Sequence, residues 1–257
     1  MIVFITGATA GFGSAMAHRF ITAGAKVVAS GRREDRLQAL HAELGANLLP
    51  VILDVVDREA VEQVFKTLPE EFASIDVLIN NAGLALGLEP AQKASLDDWD
   101  TMVDTNIKGL MYCTRAALPG MVARNRGHIV NLGSVAARYP YPGGNVYGAS
   151  KAFVHQFSLN LRADLLGTAV RVTDIQPGMC SGTEFSTIRF GGDETRAKKV
   201  YEGTQSLSAD DIADTVYWVV SRPAHVNINA IEMMPVCQAF NAFAVQRNVG
   251  VVIKNPP

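Results

Sequence analysis

The sequence has little surplus charge of either sign and few cysteines. Lys and Arg together number 23 and Asp and Glu number 25, so the net charge of −2 offers no basic field to nucleic acid or an anionic membrane. The three cysteines, Cys113, Cys180 and Cys237, are widely separated and lack metal-ligand spacing. We therefore expect reduced thiols, no metal site, and neither a nucleic-acid nor a membrane partner.

Long apolar runs are also missing. No segment approaches the ~18 apolar residues that a membrane-spanning helix needs. The first apolar stretch, residues 2–5, is too short for a secretory signal peptide and follows no basic segment. Internal repeats and low-complexity linkers are missing as well. These features predict a cytoplasmic protein with one domain over residues 1–257, of which residues 235–257 form a C-terminal tail.

Short β-branched runs alternate with helical patterns along most of the chain. Each run is apolar on both sides of the pleat, as a parallel strand covered by helices requires. The predicted strands are residues 2–6, 26–30, 48–54, 77–80, 128–133 and 170–175. This alternation predicts an α/β fold with a doubly wound parallel sheet, whose ligands bind beyond the carboxyl ends of the strands.

Two helix starts and one unusual connection complete the pattern. Ser95-x-x-Asp98 and Ser208-x-x-Asp211 are typical of capping boxes that open helices. Residues 178–205 contain several glycines and mixed charge between a strand and a helix, and a connection of this length is uncommon inside a compact domain. We expect this stretch, called the lid segment below, to be a mobile cover of the functional site.

The first predicted strand leads into a glycine-rich turn and then a helical pattern. The turn is Thr6-Gly7-Ala8-Thr9-Ala10-Gly11-Phe12-Gly13, with the spacing G-x-x-x-G-x-G. Gly7 permits a tight turn, Gly11 lets backbone N–H groups approach a pyrophosphate, and Gly13 allows the helix to pack closely on the strand. Glycine turns without a ligand are common, but the position at the start of a βαβ unit favours dinucleotide binding.

The end of the second predicted strand indicates which dinucleotide is bound. An acidic residue there usually meets a free ribose 2′-hydroxyl, whereas a 2′-phosphate calls for Arg. This chain has Arg32 and Arg33 at that point. Guanidinium groups match a phosphate in geometry and charge, although both arginines could instead only solvate the helix that follows. We favour NADP(H) over NAD(H).

Three polar residues fall where a bound dinucleotide would meet its substrate. Tyr147 and Lys151 stand at i and i+4 on one face of a predicted helix, which brings the ammonium near the phenol. A nearby cation favours the ionised phenol, whose pKa is ordinarily ~10, and promotes proton exchange with an alcohol or carbonyl oxygen near physiological pH. Ser134 follows the strand over residues 128–133, where its hydroxyl can bond the same oxygen.

Each of these residues also has an ordinary structural explanation. A tyrosine at a helix start usually packs, a lysine is usually solvated, and a serine after a strand usually belongs to a turn. Their joint position beside a dinucleotide turn favours catalysis. Asn106 lies along the apolar face of the helix after Ser95, where a buried amide needs partners. It serves either the backbone alone or a water in a proton relay.

In this order and spacing, the motifs resemble the short-chain dehydrogenase/reductase family over essentially the whole chain. The matching elements are Thr6-Gly7-x3-Gly11-Phe12-Gly13, Asp54-Val55, Asn80-Asn81-Ala82-Gly83, Asn106, Ser134, Tyr147-x3-Lys151 and Pro177-Gly178. The resemblance implies a single domain with a Rossmann-type fold of about seven parallel strands, an oxidoreductase that transfers hydride, and a homotetramer.

The resemblance also implies a role for each matching residue. Tyr147 becomes the proton donor and acceptor, Lys151 lowers its pKa and binds the nicotinamide ribose, Ser134 orients the substrate oxygen, and Asn106 supports a water relay. The implied cofactor contacts are Gly7, Ala8, Thr9, Ala10, Gly11, Phe12, Gly13, Arg32, Arg33, Asp54, Val55, Asn81, Ala82, Gly83, Tyr147, Lys151, Pro177, Gly178 and Thr183.

A narrower resemblance concerns the substrate. Residues 142–147, 157–162 and 223–229 resemble the NADP-dependent 3-hydroxy acid dehydrogenases, which include serine and allo-threonine dehydrogenases and reductases of malonic semialdehyde and sulfoacetaldehyde. Such substrates are small and anionic.

Two arginines are candidates for the substrate carboxylate or sulfonate. Arg138 follows Ser134 by four residues and Arg189 belongs to the lid segment, and either could instead be a surface arginine. Tyr141 is expected to line the same pocket as Ser134 and Tyr147.

Two other functions stay open. A reductase of larger apolar ketones or acyl carbonyls would need neither Arg138 nor Arg189. A non-catalytic NADP-binding regulator on the same fold would not need the Tyr147–Lys151 pair, and the presence of that pair favours an enzyme.

Overall fold

Seven parallel strands form one central sheet. They are β1 (Ile2–Thr6), β2 (Lys26–Gly31), β3 (Leu48–Ile52), β4 (Val77–Asn80), β5 (Gly127–Leu132), β6 (Val170–Pro177) and β7 (Ala230–Met233). Their order across the sheet is β3-β2-β1-β4-β5-β6-β7. The computed structural model describes residues 1–240, so residues 241–257 of the predicted tail lie outside the described residues.

Helices cover both faces of the sheet. Those of the described residues are α1 (Gly11–Thr22), α2 (Glu34–Leu44), α3 (Arg58–Thr67), α4 (Glu70–Ala73), α5 (Leu96–Val103), α6 (Leu110–Ala123), α7 (Asn145–Asp164), α8 (Phe185–Arg189), α9 (Glu194–Lys199) and α10 (Ala209–Val220). None of them is both long enough and apolar enough to cross a bilayer.

Alternation along the strands divides the core into two layers. In β1, Val3 and Ile5 pack into one apolar cluster with residues of α1 and α10, while Phe4 enters the cluster on the opposite face. Successive side chains of a strand point to opposite faces, so a strand covered on both sides must be apolar throughout. This explains why the strand signal in the sequence is a continuous apolar run.

The predicted elements agree with the structure except at their ends. The strand predicted to reach Asp54 ends at Ile52, and the strand predicted from residue 128 begins at Gly127. β7 was not predicted as a strand, because it has only four residues, all of intermediate burial. The capping box at Ser208 is confirmed, because the Ser208 side chain accepts from the Asp211 amide and the Asp211 side chain accepts from the Ser208 amide. At Ser95 the structure shows one of the two hydrogen bonds, in which the side chain accepts from the amide of Asp98.

The sheet order creates the place for a ligand. β2 and β3 lie on one side of β1, and β4 to β7 lie on the other. Connections therefore leave β1 and β4 in opposite directions, and a crevice opens beyond their carboxyl ends. The lid segment joins β6 to α10 and contains the short helices α8 and α9.

Candidate active site

A cavity of about 800 Å³ lies at the carboxyl edge of the sheet. It runs from the glycine turn after β1, past the ends of β4 and β5, to the lid segment. The predicted residues that line it are Gly7, Thr9, Ala10, Gly11, Phe12, Arg32, Arg33, Asp54, Val55, Asn81, Ala82, Gly83, Ser134, Tyr141, Tyr147, Lys151, Pro177, Gly178, Thr183 and Arg189. Residues from widely separated parts of the sequence thus share one space.

The glycine turn has the geometry of a pyrophosphate cradle. Gly7 and Gly11 have φ angles of 68° and 53°, in the left-handed region that favours glycine. A Cβ on Gly13 would lie 2.2 Å from the carbonyl oxygen of Gly7, so only glycine lets α1 start this close to the turn. The open groove in front of the turn and the N-terminus of α1 behind it fit a dinucleotide pyrophosphate.

Two predicted residues of this turn lie behind the cavity wall. Ala8 is fully buried, and its amide donates to the carbonyl of Ser30 at the end of β2. Gly13 packs on Ala8 and the Asn81 side chain. Their contribution to ligand binding is therefore the shape of the turn.

Asn81 fastens the turn to the end of β4. Its side-chain amide donates to the carbonyls of Thr6 and Gly7 at 2.8 and 3.1 Å. The Thr6 hydroxyl in turn accepts from the backbone amides of Asn81 and Ala82. Thr6 and Asn81 therefore fix the end of β1 relative to the end of β4. Ala82 and Gly83, which follow Asn81, line the groove.

The two arginines after β2 differ in how they are held. The Arg33 guanidinium donates to Thr9 Oγ1 from Nε at 3.1 Å and from Nη2 at 2.8 Å, and its Nη1 donates to Glu184 Oε2 at 2.7 Å. Arg32 is more exposed, and its Nη1 lies 3.7 Å from Asp54 Oδ2. Both cations line the end of the groove where the adenosine of a dinucleotide would lie.

Ser134 and Tyr147 meet at the centre of the cavity wall. Tyr147 belongs to the first turn of α7, and Ser134 follows β5 in an extended conformation. Both are buried, and the Ser134 hydroxyl accepts from the amide of Ala136 at 3.1 Å. Phe185 of α8 packs edge-on against the Tyr147 ring, with centroids 5.6 Å apart. The phenol is thereby held between β5 and the lid segment.

Burial raises the pKa of Tyr147 to about 12, while the Ser134 hydrogen bond and the Arg189 charge act to lower it. This differs from the expectation of a phenol that ionises near physiological pH. The reason is that desolvation of the phenolate outweighs the Ser134 hydrogen bond and the Arg189 charge. At neutral pH the residue is therefore a protonated donor.

Lys151 lies one helical turn beyond Tyr147. Its Nζ donates to the carbonyl of Leu132 at 2.7 Å and stands 5.9 Å from the centroid of the Tyr147 ring. Burial lowers the pKa of Lys151 to about 8, and the negative charge of Asp174 acts against that decrease. The ammonium and the Tyr147 ring therefore lie on the same side of α7, as their spacing of four residues predicts.

Asn106 lies just behind the cavity wall in a π-helical segment, Asp104–Gly109, between α5 and α6. Its amide nitrogen donates to the carbonyl of Leu84 at 2.8 Å and to Ser150 Oγ at 3.0 Å, and its oxygen accepts from the Leu84 amide. Helical segments of this kind are frequent at functional sites. Asn106 thus ties the segment after β4 to α7, close to Lys151.

Arg189 of α8 is the predicted substrate cation that reaches the cavity. Its Nε donates to the carbonyl of Gly87 at 3.1 Å and its Nη2 to the Tyr141 hydroxyl at 2.8 Å. The guanidinium carbon lies 5.6 Å from the centroid of the Tyr147 ring. Within residues 1–240, Nη1 makes no hydrogen bond. The Arg189 guanidinium is therefore fixed beside the Tyr147 ring, and its Nη1 can still donate to a ligand.

Arg138 is not brought to this cavity. Its Nη2 lies 3.3 Å from His155 Nε2, and its Nη1 lies 3.9 Å from Glu232 Oε2. The short helical turn over Val135–Ala137 directs its side chain toward α7 and β7 instead. Sequence spacing from Ser134 did not reveal this direction.

Several residues of the cavity wall were not predicted from the sequence. Phe185 contacts Tyr147, and Glu184 binds Arg33 and also Arg36 at 2.8 Å. Both belong to the lid segment, where no periodic pattern or motif marks individual positions. The one available signal was adjacency to Thr183, which had been predicted to border the nicotinamide and its phosphate.

The described residues hold no group of three or more His, Cys, Asp or Glu side chains suited to a metal ion. The cavity combines a dinucleotide groove with a buried serine, tyrosine and lysine, and an arginine stands beside them. This arrangement suits hydride transfer coupled to proton transfer.

Comparison with known proteins agrees with this description. The family model for short chain dehydrogenases matches residues 1–190. A Salmonella typhi protein named NADP-dependent 3-hydroxy acid dehydrogenase YdfG is 63% identical over 248 residues, covering 96% of this chain and 100% of the relative. A serine 3-dehydrogenase from Agrobacterium fabrum is 54% identical over 245 residues, covering 95% of this chain and 98% of the relative.

A solved structure has the same fold. The closed form of serine dehydrogenase complexed with NADP+ superposes with a TM-score of 0.95, at 61% identity, over 96% of this chain and 100% of that one. The predicted fold class and the predicted family are both confirmed. The chain belongs to the short-chain dehydrogenase family.

Proposed function

We propose that this protein is an NADP(H)-dependent dehydrogenase of small 3-hydroxy acids. In the reductive direction it would act on a small anionic aldehyde such as malonic semialdehyde or sulfoacetaldehyde, and in the oxidative direction on serine or allo-threonine. The observation that carries the substrate class is the position of Arg189, whose guanidinium stands 5.6 Å from the ring of Tyr147. The names of the relatives support the same class.

The cofactor groove supports NADP(H). The glycine turn would hold the pyrophosphate, Asp54 and Val55 would border the adenine, and Arg32 and Arg33 would meet the 2′-phosphate. When bound, NADPH supplies the hydride. Relatives at 61–63% identity are named as NADP-dependent, which agrees with the paired arginines after β2.

Residues of the chain supply the proton and bind the substrate oxygen. Tyr147, protonated at neutral pH, donates its hydroxyl proton to the carbonyl oxygen of the substrate. Ser134, beside it, donates a hydrogen bond to the same oxygen. Lys151 provides positive charge that compensates the phenolate left behind. Oxidation of an alcohol reverses each of these steps.

The paired arginines lead to a prediction about the cofactor. Replacing Arg32 and Arg33 together with Ala should weaken NADPH binding about 10- to 100-fold, because two charge-assisted contacts to the 2′-phosphate are lost. NADH binding should weaken less, about 3- to 10-fold, since NADH lacks that phosphate and loses only the contact of Arg33 with Glu184. Fluorescence titration with both cofactors measures the two effects, and an equal loss for both would remove the 2′-phosphate argument.

Arg189 leads to a prediction about the substrate. Replacing Arg189 with Gln should lower kcat/KM for short anionic substrates about 10- to 100-fold, since a buried carboxylate or sulfonate loses its charged partner. Arg138→Gln is the matched control, because it removes the same charge outside the cavity and should leave kcat/KM unchanged. Rates with NADP(H) on malonic semialdehyde, sulfoacetaldehyde, serine, allo-threonine and 3-hydroxypropionate provide the measurement.

The apolar part of the wall favours one second candidate. Tyr139, Tyr141, Phe185, Phe190 and Tyr201 all line the cavity near the lid segment. Such a wall would also suit a larger apolar ketone or acyl carbonyl. That activity should survive Arg189→Gln, whereas activity on short acids should not, and an enzyme whose best substrates are apolar ketones contradicts the first proposal.

A non-catalytic regulator is less well supported. The structure brings Ser134, Tyr147 and Lys151 to one cavity wall, which a sensor of NADP would not require. Saturable NADPH binding with no turnover of any substrate in the panel would favour the regulator.

A further inference from the structure

One ion-pair cluster joins the lid segment to the cofactor groove. Glu184, the residue before α8, accepts hydrogen bonds from Arg33 at 2.7 Å and from Arg36 at 2.8 Å, one on each carboxylate oxygen. Arg33 follows β2 and Arg36 belongs to the first turns of α2. A single carboxylate of the lid segment is therefore held by two cations of the second βα unit.

The same cluster reaches the glycine turn. The remaining nitrogens of Arg33, Nε and Nη2, both donate to the Thr9 hydroxyl. Thr183, the neighbour of Glu184, packs on the turn so closely that a Cβ on Gly11 would lie 3.2 Å from its side chain. The groove for the pyrophosphate thus runs between the turn on one side and residues Thr183 and Glu184 on the other.

The electrostatics of the cluster favour the ionised carboxylate. Burial acts to raise the pKa of Glu184, but the hydrogen bonds and charges of Arg33 and Arg36 outweigh it and hold the pKa below its usual value. The three side chains are between one third and one half exposed. Each ion pair is therefore partly screened and can open without a large free-energy cost.

We propose that Glu184 is a positioning residue that fastens the lid segment across the cofactor groove through Arg33 and Arg36. A cofactor that lies between the glycine turn and Thr183 dissociates only when the ion pairs of Glu184 with Arg33 and Arg36 break. The fastening also orients Arg33 for the 2′-phosphate, because Thr9 and Glu184 together fix three of its nitrogens. This proposal rests on the proposed NADP(H) dependence.

The position of α8 extends the consequence to the catalytic residues. Phe185 follows Glu184 directly and contacts Tyr147, and Arg189 ends the same helix and contacts Tyr141. A lid segment that is fastened at Glu184 therefore also holds the substrate side of the cavity closed. The contact of Glu184 with Arg33 and Arg36 therefore both retains the cofactor and keeps the substrate side closed.

The test is the rate at which NADPH leaves the protein, measured by its fluorescence after rapid mixing with excess NADP+. Glu184→Gln should release NADPH about 3- to 10-fold faster, the range expected for one or two partly exposed ion pairs. Arg36→Gln should accelerate release less, and the double variant should be no faster than Glu184→Gln alone, because both act on one contact. Arg36 is not among the residues that line the cavity, so we expect its effect on release to act through Glu184.

Two controls separate fastening from other effects. Glu202→Gln removes the same charge from an exposed position of the lid segment and should leave the release rate unchanged. Added salt should accelerate release from the unaltered protein more than from Glu184→Gln, because salt screens the ion pairs that the variant lacks. A thermal unfolding curve without cofactor shows that the variant is folded.

Two results would overturn the proposal. Release from Glu184→Gln at the unaltered rate means that the contact fastens nothing. Slower release means that Glu184 competes with the 2′-phosphate for Arg33. Failure of the unaltered protein to bind NADPH would instead contradict the proposed cofactor, and the fastening with it.

Discussion

Replacing Tyr147 with Phe should reduce carbonyl turnover about 10³- to 10⁴-fold while NADPH binding stays nearly unchanged. The substitution removes one hydroxyl group from a ring that is 8% exposed and keeps the edge-on contact with Phe185. The substrate oxygen then loses the phenol that supplies its proton and keeps only the hydrogen bond from Ser134. The groove that binds the cofactor keeps its glycine turn and its arginines.

The pKa of Tyr147 explains why the loss should be large in the reductive direction. Burial raises this pKa to about 12, so at neutral pH nearly every molecule has a protonated donor in place. Water reaches a buried ring poorly and does not replace that donor.

Steady-state rates and NADPH titration of Tyr147→Phe measure the two parts of this prediction. Tyr139→Phe is the matched control, because it removes a phenol from the same cavity at a position held by Glu232 rather than beside Ser134. Normal turnover by Tyr147→Phe would contradict the catalytic assignment.

The second large effect concerns Lys151. Burial lowers the pKa of Lys151 to about 8, so the ammonium predominates below that pH and the neutral amine above it. Carbonyl reduction should therefore be steady below pH 8 and fall as the pH rises further, because the phenolate left on Tyr147 loses its compensating charge. Lys151→Met should lower kcat about 10²- to 10³-fold and abolish this alkaline decline.

A pH series of kcat for the two proteins tests this assignment. Lys93→Met, at an exposed position, is the control and should keep both the rate and the decline. Because Lys151→Met also leaves the Leu132 carbonyl without its donor, circular dichroism should accompany the rates. A reduction rate that stays constant to pH 10 in the unaltered protein would show that Lys151 does not govern the reaction.

Much of the fold was predictable from the sequence. Continuous apolar runs located β1 to β6. Most of these strands are buried on both faces and leave a signal at every residue, whereas the edge strand β3 is only partly buried and was located by its apolar composition. β7 escaped because a four-residue strand of intermediate burial leaves almost no pattern. Homotetramer assembly, cytoplasmic location and mobility of the lid segment stay predictions.

The geometry of the glycine turn and of the Tyr147–Lys151 pair was predictable for a related reason. Gly7, Gly11 and Gly13 meet steric demands that no other residue meets, so their spacing is visible in the sequence. Tyr147 and Lys151 are four residues apart on one helix, and helical geometry alone brings them together. Local geometry was sufficient in both cases.

The sequence by itself determined six of the seven strands, the glycine turn, the position of the arginines after β2 and the Tyr147–Lys151 pair, because each follows from short-range spacing. Only the tertiary structure decided that Arg189 rather than Arg138 stands beside the phenol, that burial raises the pKa of Tyr147, and that Glu184 joins the lid segment to Arg33. These outcomes depend on desolvation and on contacts between residues that are far apart in the sequence. Arg33 and Glu184, for example, are 151 positions apart. Distances of that kind are set by the packing of the whole domain, and no local pattern encodes them.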